Sequence, residues 1–277
     1  MAMALPTRFV KMAGGGNDFL LFEADGRRLS DEDRRRVALL CRRGLSVGAD
    51  GALFLSGGSE GRVHLDYFNA DGGLASFCAN GTRCAARYAV LRRLVAGSSP
   101  VLETGWAVIP AEVAEGEVTL KLPPFALPGE SVPILGEGLP PTGIPIEVGV
   151  PHLVVFVTGD LEEIPIKSLA PPLRHHAAFP EGANVNFVKV TGPHSIAVRT
   201  YERGVEGETL ACGSGVVASA IVAAREGFVA PPVVCVTKSG VAFTVSFVES
   251  VGEIAEASLT GDAREIFEAE LNEEAFA

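Results

Sequence analysis

The sequence predicts an α+β fold in two similar halves, each a sheet wrapped around a helix. Three observations point there. First, a Cys-x-x-Gly turn occurs twice, as Cys78-Ala79-Asn80-Gly81 and as Cys212-Gly213-Ser214-Gly215, with an offset of 212 − 78 = 134 residues. Tyr67 and Tyr201 precede the two cysteines at one spacing, Gly48-Ala49 matches Gly182-Ala183, and residues 16–22 overlie residues 150–156. One offset held by separate blocks of a 277-residue chain is the mark of an internal duplication. Second, short strand-like segments outnumber helical ones, which is the α+β pattern. Third, residues 216–224 are apolar nearly all round, and such a helix belongs inside its domain with strands wrapped about it.

The elements follow in order. Residues 8–12 and 19–22 read as strands flanking the turn Gly14-Gly15-Gly16, and 51–55 and 63–68 as further strands. Residues 31–43 carry Val37, Leu40 and Cys41 on one face after Ser30 or Asp31 as N-cap, which is a surface helix. The glycine turn lacks the Gly-x-Gly-x-x-Gly order opening a helix, so it is not a dinucleotide fingerprint. A helix over residues 82–94 follows the first cysteine turn, with arginines at one end and an Ala-rich body. Residues 122–145 contain Pro123, Pro124, Pro128, Pro133, Pro140, Pro141 and Pro145 and form the natural junction. Strands over 153–157, 186–190, 195–201, 233–237 and 241–248 make the second set. The expected domains are 1–125, to which a final strand within 264–277 returns, and 126–263.

The formal net charge of −11 argues against nucleic acid or an anionic membrane surface as a partner. No run of eighteen apolar residues suggests a transmembrane helix, and residues 1–11 read as a mature cytoplasmic N-terminus. Five cysteines without a signal peptide are expected as thiols, not as a disulfide framework. None forms Cys-x-x-Cys, and His64 gives no usual zinc spacing with Cys78 and Cys84, so no metal is expected. Cys41, Cys84 and Cys235 lack the turn setting and read as core.

A thiol at a helix N-terminus meets backbone N–H groups without intrahelical partners and a partial positive charge, both of which favour thiolate. A helix end supplies up to about 2 kcal/mol, or about 1.5 pKa units, bringing a thiol of pKa ~8.5 only near neutrality, so a further activating group is wanted. The same N–H groups bind anions, and the small residues Ala79, Gly81, Gly213, Ser214 and Gly215 are expected to let a carboxylate approach the backbone. Two such turns aimed at one point would hold a carboxylate between two thiols. The chemistry that needs this is stereoinversion at the carbon beside the carboxylate: one thiolate removes the α-proton and the opposing thiol delivers one to the other face. No redox cofactor or metal is demanded. A nucleophilic Cys-His hydrolase would need one cysteine, and a non-catalytic amino-acid-binding module none.

The blocks Lys11-Met12-Ala13-Gly14-Gly15-Gly16-Asn17-Asp18-Phe19, Tyr67-Phe68-Asn69-Ala70-Asp71-Gly72, Cys78-Ala79-Asn80-Gly81-Thr82-Arg83-Cys84, Gly149-Val150-Pro151-His152, Asn184-Val185-Asn186-Phe187 and the run from Tyr201 to Gly215 together resemble the diaminopimelate epimerase family, in order over nearly the whole chain. The resemblance implies a barrel-like, mostly antiparallel sheet around a central helix in each half, and halves that close on substrate. It implies a cofactor-independent, cytoplasmic, homodimeric isomerase that interconverts LL-2,6-diaminopimelate and the meso form in lysine and peptidoglycan-precursor biosynthesis. It makes Cys78 and Cys212 the two acid/base residues and puts His152 and Glu202 beside them, with Glu202 also holding the reacting ammonium group. Asn17, Asn69, Asn184 and Arg203 would hold the distal amino-acid centre, and Ala79, Asn80, Gly213 and Ser214 the carboxylate at the helix ends. Arg203 suits the task because a guanidinium grips a carboxylate with two hydrogen bonds.

Four features depart from the family pattern: Ala79 where Gly is usual, Val150 where some members carry a substrate-binding Asn, Gly51 where some carry Gln, and an extra Glu within Gly204-Val205-Glu206-Gly207. A methyl group at Ala79 would matter if the turn needed positive φ. The alternatives are another two-cysteine racemase or epimerase of the proline or hydroxyproline type, whose substrate needs no distal clamp, and the phenazine-biosynthesis isomerases, which do not need the cysteine pair.

Overall fold

The computed structural model describes residues 5–57, 61–136 and 138–277. The chain forms two compact units, one ending at Leu120 and taking in Gly261–Ala277, the other Lys121–Thr260. In chain order the first stretch holds β1 (Arg8–Gly14), β2 (Asn17–Ala24), α1 (Asp31–Leu40), β3 (Gly51–Gly57), β4 (Arg62–Asn69), β5 (Leu74–Ala75), α2 (Ala79–Leu91), β6 (Val101–Glu103), β7 (Val108–Ala114) and β8 (Glu117–Leu122). There follow β9 (Phe125–Ala126), β10 (Val132–Pro133), β11 (Thr142–Val148), β12 (Val150–Phe156), α3 (Ile166–Arg174), β13 (Asn184–Gly192), β14 (Ser195–Glu202), β15 (Gly207–Thr209), α4 (Gly213–Arg225), β16 (Val233–Thr237), β17 (Ala242–Ser250) and β18 (Glu253–Asp262). The last strand, β19 (Arg264–Glu270), pairs antiparallel with β1.

Within the first unit β1–β2, β3–β4, β6–β7 and β7–β8 are antiparallel, and β2–β3 and β4–β6 parallel. The strands β1, β2, β3, β4, β6 and β7 all touch α2, so the sheet curls around that helix. The second unit repeats the plan. There β11–β12, β13–β14, β16–β17 and β17–β18 are antiparallel, β12–β13 and β14–β16 parallel, and β11 to β14, β16 and β17 touch α4. This is the mostly antiparallel α+β architecture expected from the sequence.

Strand pairing tests the repeat at residue level. Phe19 pairs with Gly51 and Leu153 with Val185, both residues moved by 134; Arg62 with Val101 and Ile196 with Cys235 behave alike. The hairpin between them slips: Ala52 pairs with Phe68, whereas Asn186 pairs with Thr200 and not with Glu202. The slip is two residues, which leaves every side chain on its original face; a slip of one would have turned the strand inside out.

The parallel strands at the heart of each unit are buried on both faces, because a helix covers each. In β2, Phe19 lies beneath Gly81 of α2, while Leu20 and Phe22 pack with Val37 and Leu40 of the outer helix α1. In β12, Leu153 and Val155 pack with Ile166, Ala170 and Leu173 of α3. The helix α3 is absent from the sequence expectation, since Pro171 and Pro172 stand inside it. Its apolar face nevertheless falls at helical spacing, and it stands where α1 recurs one repeat later.

Candidate active site

Both Cys-x-x-Gly turns are helix N-termini. Cys78 is the N-cap of α2 and Cys212 that of α4, each with an extended backbone (φ −144°, ψ 111° and φ −119°, ψ 111°). All five cysteines are thiols. Cys78 Sγ is half-buried and accepts from the Gly81 N–H at 3.5 Å. Cys212 is 8% exposed, and its Sγ meets Ser214 Oγ at 3.5 Å and Asn184 Nδ2 at 3.9 Å. The remaining thiols differ in kind: burial pushes Cys41 and Cys84 up to about 12, and Cys235 upward as well.

Two glycines of the turns seat their helices on the sheet. A Cβ on Gly215 would stand 2.3 Å from Asn186 Oδ1, and one on Gly81 would stand 3.0 Å from Leu53 Cδ2. At these two positions a small residue lets the helix end sit directly on its own sheet. Ala79 is the first residue of α2 and is not among the non-glycine residues of positive φ, so its methyl carries no left-handed strain. Gly51 is required here, because a Cβ would lie 2.5 Å from Phe68 O and 2.7 Å from the Tyr67 ring, leaving no room for Gln on this backbone. Val150, partly buried, opens β12.

In the first unit a polar chain runs beneath the Cys78 turn. Arg83, wholly buried, donates to Asn80 Oδ1 (2.7 Å), Asp262 O (3.2 Å) and Ala79 O (3.4 Å). Asn80 Nδ2 donates to Asn17 Oδ1 (2.7 Å), and Asn17 Nδ2 to Asp50 Oδ2 (2.9 Å). Arg43 bridges Asp50 (2.7 Å) and Asp18, which also receives Lys11 at 2.7 Å. Burial alone would raise the Asp18 carboxyl, but the Arg43 and Lys11 cations outweigh it and hold it below the usual range. The structure thus brings Asn17, at the start of β2, against Asn80 on the Cys78 turn, their side chains already engaged. Asn69 ends β4, exposed, and its side-chain amide has no partner among the described residues.

The second unit gathers Asn184, Glu202, Arg203, Cys212, Gly213, Ser214 and His152. Asn184 Oδ1 accepts from the Arg203 N–H (2.8 Å) while its nitrogen faces Cys212 Sγ. Among the described residues the Arg203 guanidinium meets Gly182 O (3.5 Å) and the exposed Glu181 (3.9 Å). Glu202 Oε1 accepts from the Thr209 hydroxyl. His152 is wholly buried; Nε2 lies 3.1 Å from Ser214 Oγ and Nδ1 3.1 Å from Asn186 Nδ2. Burial, then the Arg203 charge, pushes its pKa down to about 3, so the ring is neutral. It reaches Cys212 through Ser214. Asn186, Thr200, Arg83 and Asp50 were not singled out by sequence reasoning, although Asn186 lies inside the Asn184-Val185-Asn186 block. Among the described residues no group of His, Cys, Asp or Glu is arranged to hold a metal ion. Among the described residues no helix is long and apolar enough to cross a membrane.

The architecture is shared with solved structures. A phenazine biosynthesis protein of the PhzF family from Enterococcus faecalis superimposes with a TM-score of 0.72 at 15% identity, covering 98% of this chain and 100% of that one. A hydroxyproline epimerase from Agrobacterium vitis gives 0.66 at 14%, covering 96% and 92%. At such identities the likeness is one of fold, and it defines the class: the paired α+β units, each around one helix, that these proteins share. Sequence narrows the class. The model of the diaminopimelate epimerase family matches residues 9–118 and 145–266. The diaminopimelate epimerase of Archaeoglobus fulgidus is 42% identical over 233 residues, and that of Methanothrix thermoacetophila 40% over 232, each match covering 78% of this chain and 81% of the relative. The chain belongs to the diaminopimelate epimerase family, a family of isomerases.

Proposed function

We propose that the chain interconverts LL-2,6-diaminopimelate and meso-diaminopimelate in lysine and peptidoglycan-precursor biosynthesis, with Cys78 and Cys212 as the two bases. The observation that carries the reading is that both sulfurs are N-caps of helices at equivalent positions of the repeat, in a chain of this family. One sulfur enters as thiolate and takes the α-proton; the electron pair left on carbon delocalises into the adjacent carboxylate. The other enters as thiol and gives its proton to the opposite face, so the product leaves with the two protonation states exchanged. The first-turn N–H groups of α2 and α4 act on the charge that builds on the carboxylate.

Ser214 and Asn184 support a thiolate at Cys212, and the Gly81 N–H one at Cys78, since hydrogen bonds to the charged form favour it. Glu202 takes the reacting ammonium group. Arg203, whose guanidinium is only lightly engaged, takes the distal carboxylate, with Asn69 and Asn184 completing that end. Asn17 joins Asn69 and Asn184 at the distal end, and Asn80, Ala79, Gly213 and Ser214 line the carboxylate position at the helix ends. The enzyme works in the cytoplasm as a homodimer without cofactor.

Incubation with LL-diaminopimelate in D2O tests this. Meso product with deuterium at the inverted α-carbon is expected, and Cys78→Ala or Cys212→Ala is expected to abolish net inversion. Inversion of proline with no reaction of diaminopimelate would sink the substrate assignment, and full activity in either variant would remove that cysteine from the mechanism.

A further inference from the structure

We propose that Asn186, backed by Thr200, is a positioning residue that holds His152 with its proton on Nε2, so that His152 donates to Ser214 and Ser214 aims its own hydroxyl proton at Cys212 Sγ. The inference rests on the role proposed for Cys212, but its first test is independent of that role.

The hydrogen count fixes each step. Asn186 is wholly buried, so its amide must be satisfied inside the protein. One end lies 3.5 Å from Leu153 O, and a backbone carbonyl only accepts, so that end is the NH2 group. The other end, Oδ1, then accepts from Thr200 Oγ1 at 3.0 Å. The same NH2 group lies 3.1 Å from His152 Nδ1. Two donors cannot share that contact, so Nδ1 is bare. A neutral imidazole carries one proton, which must then be on Nε2, 3.1 Å from Ser214 Oγ. Ser214 Oγ accepts there and has its own hydrogen left for Cys212 Sγ at 3.5 Å.

Gly215 belongs to the same device. Asn186 Oδ1 occupies the space its Cβ would need, so the helix end carrying Ser214 and Cys212 is seated on the amide that orients the histidine. The first unit has Ala52 at the position equivalent to Asn186 and Asp18 at that of His152, and builds its support from ion pairs instead. The donor chain is therefore a property of the second thiol alone. Its effect is one-directional: a histidine with a bare Nδ1 held by an amide cannot take a proton from Ser214, so it acts on Cys212 as a donor and not as a base.

Nitrogen-15 NMR on histidine-labelled protein reads the tautomer directly, with the His152 signals identified by their loss in His152→Gln. A protonated Nε2 and a bare Nδ1 are expected in the unsubstituted protein; a protonated Nδ1 overturns the proposal whatever the activity. In Asn186→Asp the carboxylate has no hydrogen to give, so the proton should move to Nδ1. Epimerisation kcat should fall about 10–100-fold, the scale on which partners of a site histidine act, with KM little changed. Thr200→Val, which spares the amide, should give a smaller loss in the same direction and covers the case in which Asn186→Asp does not fold. Folded variants that keep the Nε2 proton and full kcat would overturn the positioning role. A protein with the expected tautomer that leaves diaminopimelate untouched would fail the substrate assignment and leave the tautomer lock standing.

Discussion

Gly81 and Gly215 hold the same place in the repeat, yet their surroundings differ in stiffness. A methyl on Gly81 would meet the far end of Leu53 at 3.0 Å, a side chain that can give way. A methyl on Gly215 would meet Asn186 Oδ1 at 2.3 Å, and that oxygen is held by Thr200. Alanine gains up to about 1 kcal/mol over glycine within a helix, and overpacking costs roughly 1–3 kcal/mol. For Gly81→Ala the two nearly cancel. For Gly215→Ala the cost wins, so we expect a clear fall in the urea midpoint there and almost none for Gly81→Ala; equal shifts would refute this difference. Residue types alone show that the two turns are small. What sets the cost of a methyl there is which side chain of the sheet lies underneath, and that contact joins residues far apart in sequence. Arg83 makes the same point: an arginine in the first turn of a helix reads as surface, whereas it is wholly buried and orients Asn80.

Among the elements, α1 is the clearest case of structure written locally. Ser30 caps it, with Ser30 Oγ accepting from the Asp33 N–H at 3.1 Å and Asp33 Oδ2 from the Ser30 N–H at 3.0 Å. This capping box satisfies two orphan donors at once. Ser30→Ala and Asp33→Ala should each cost about 1 kcal/mol in a denaturant melt. The double variant should cost less than the sum, because either change breaks the reciprocal pair; strict additivity would show that the two bonds act separately. The cap was legible because its code spans three residues. Strands β3, β4, β13, β14 and β16 were legible for a similar reason, as short apolar runs closed by glycine or a turn. By contrast β11 and α3 were hidden by Pro145 and by Pro171 and Pro172, residues that usually mark a break. Prolines are tolerated there because the surrounding apolar residues are buried against other elements: Ile146 lies within the β11–β12 pair, and Ile166, Ala170 and Leu173 of α3 pack with Leu153, Val155 and Phe187. Of the candidate site, the cysteine turns could be seen through the repeat. The roles of Asn186 and Thr200 could not, since a buried asparagine in a strand carries no signal until its hydrogen bonds are known.

At the scale of the whole molecule, buried titratable groups set the pH range over which the fold is most stable, and their signs can be worked out. His152 is held neutral in the folded chain down to about pH 3, while the unfolded chain takes up a proton near the ordinary value of 6.5. Below pH 6.5 the unfolded state therefore binds more protons, and stability falls as pH falls by roughly 1.4 kcal/mol per pH unit. Asp18, whose carboxyl the Arg43 and Lys11 cations hold below 3.8, adds to the loss only at still lower pH. The alkaline side has the opposite cause. Burial keeps Cys41 and Cys84 protonated up to about pH 12 in the fold, whereas the unfolded thiols ionise near 9.0, and Cys235 is raised in the same sense. Their contribution is complete below pH 9 and is lost above it, at roughly 1.4 kcal/mol per unit for each thiol. Stability should thus be greatest between about pH 6.5 and 9, with a steeper fall on the alkaline flank, where three thiols act together and Tyr88 and Tyr201, raised by burial and their glutamate neighbours, join them above pH 10, than on the acid flank down to pH 4, where His152 dominates. Urea midpoints measured under reducing conditions from pH 4 to 11 check the profile. His152→Gln should flatten the acid flank between pH 6.5 and 4 and leave the alkaline flank alone, while Cys84→Ala should reduce the slope between pH 9 and 10 by about a third. A midpoint that does not change between pH 7 and 4.5 in the unsubstituted protein would show that His152 is protonated in the fold, and the bare Nδ1 facing the Asn186 amide would then fail.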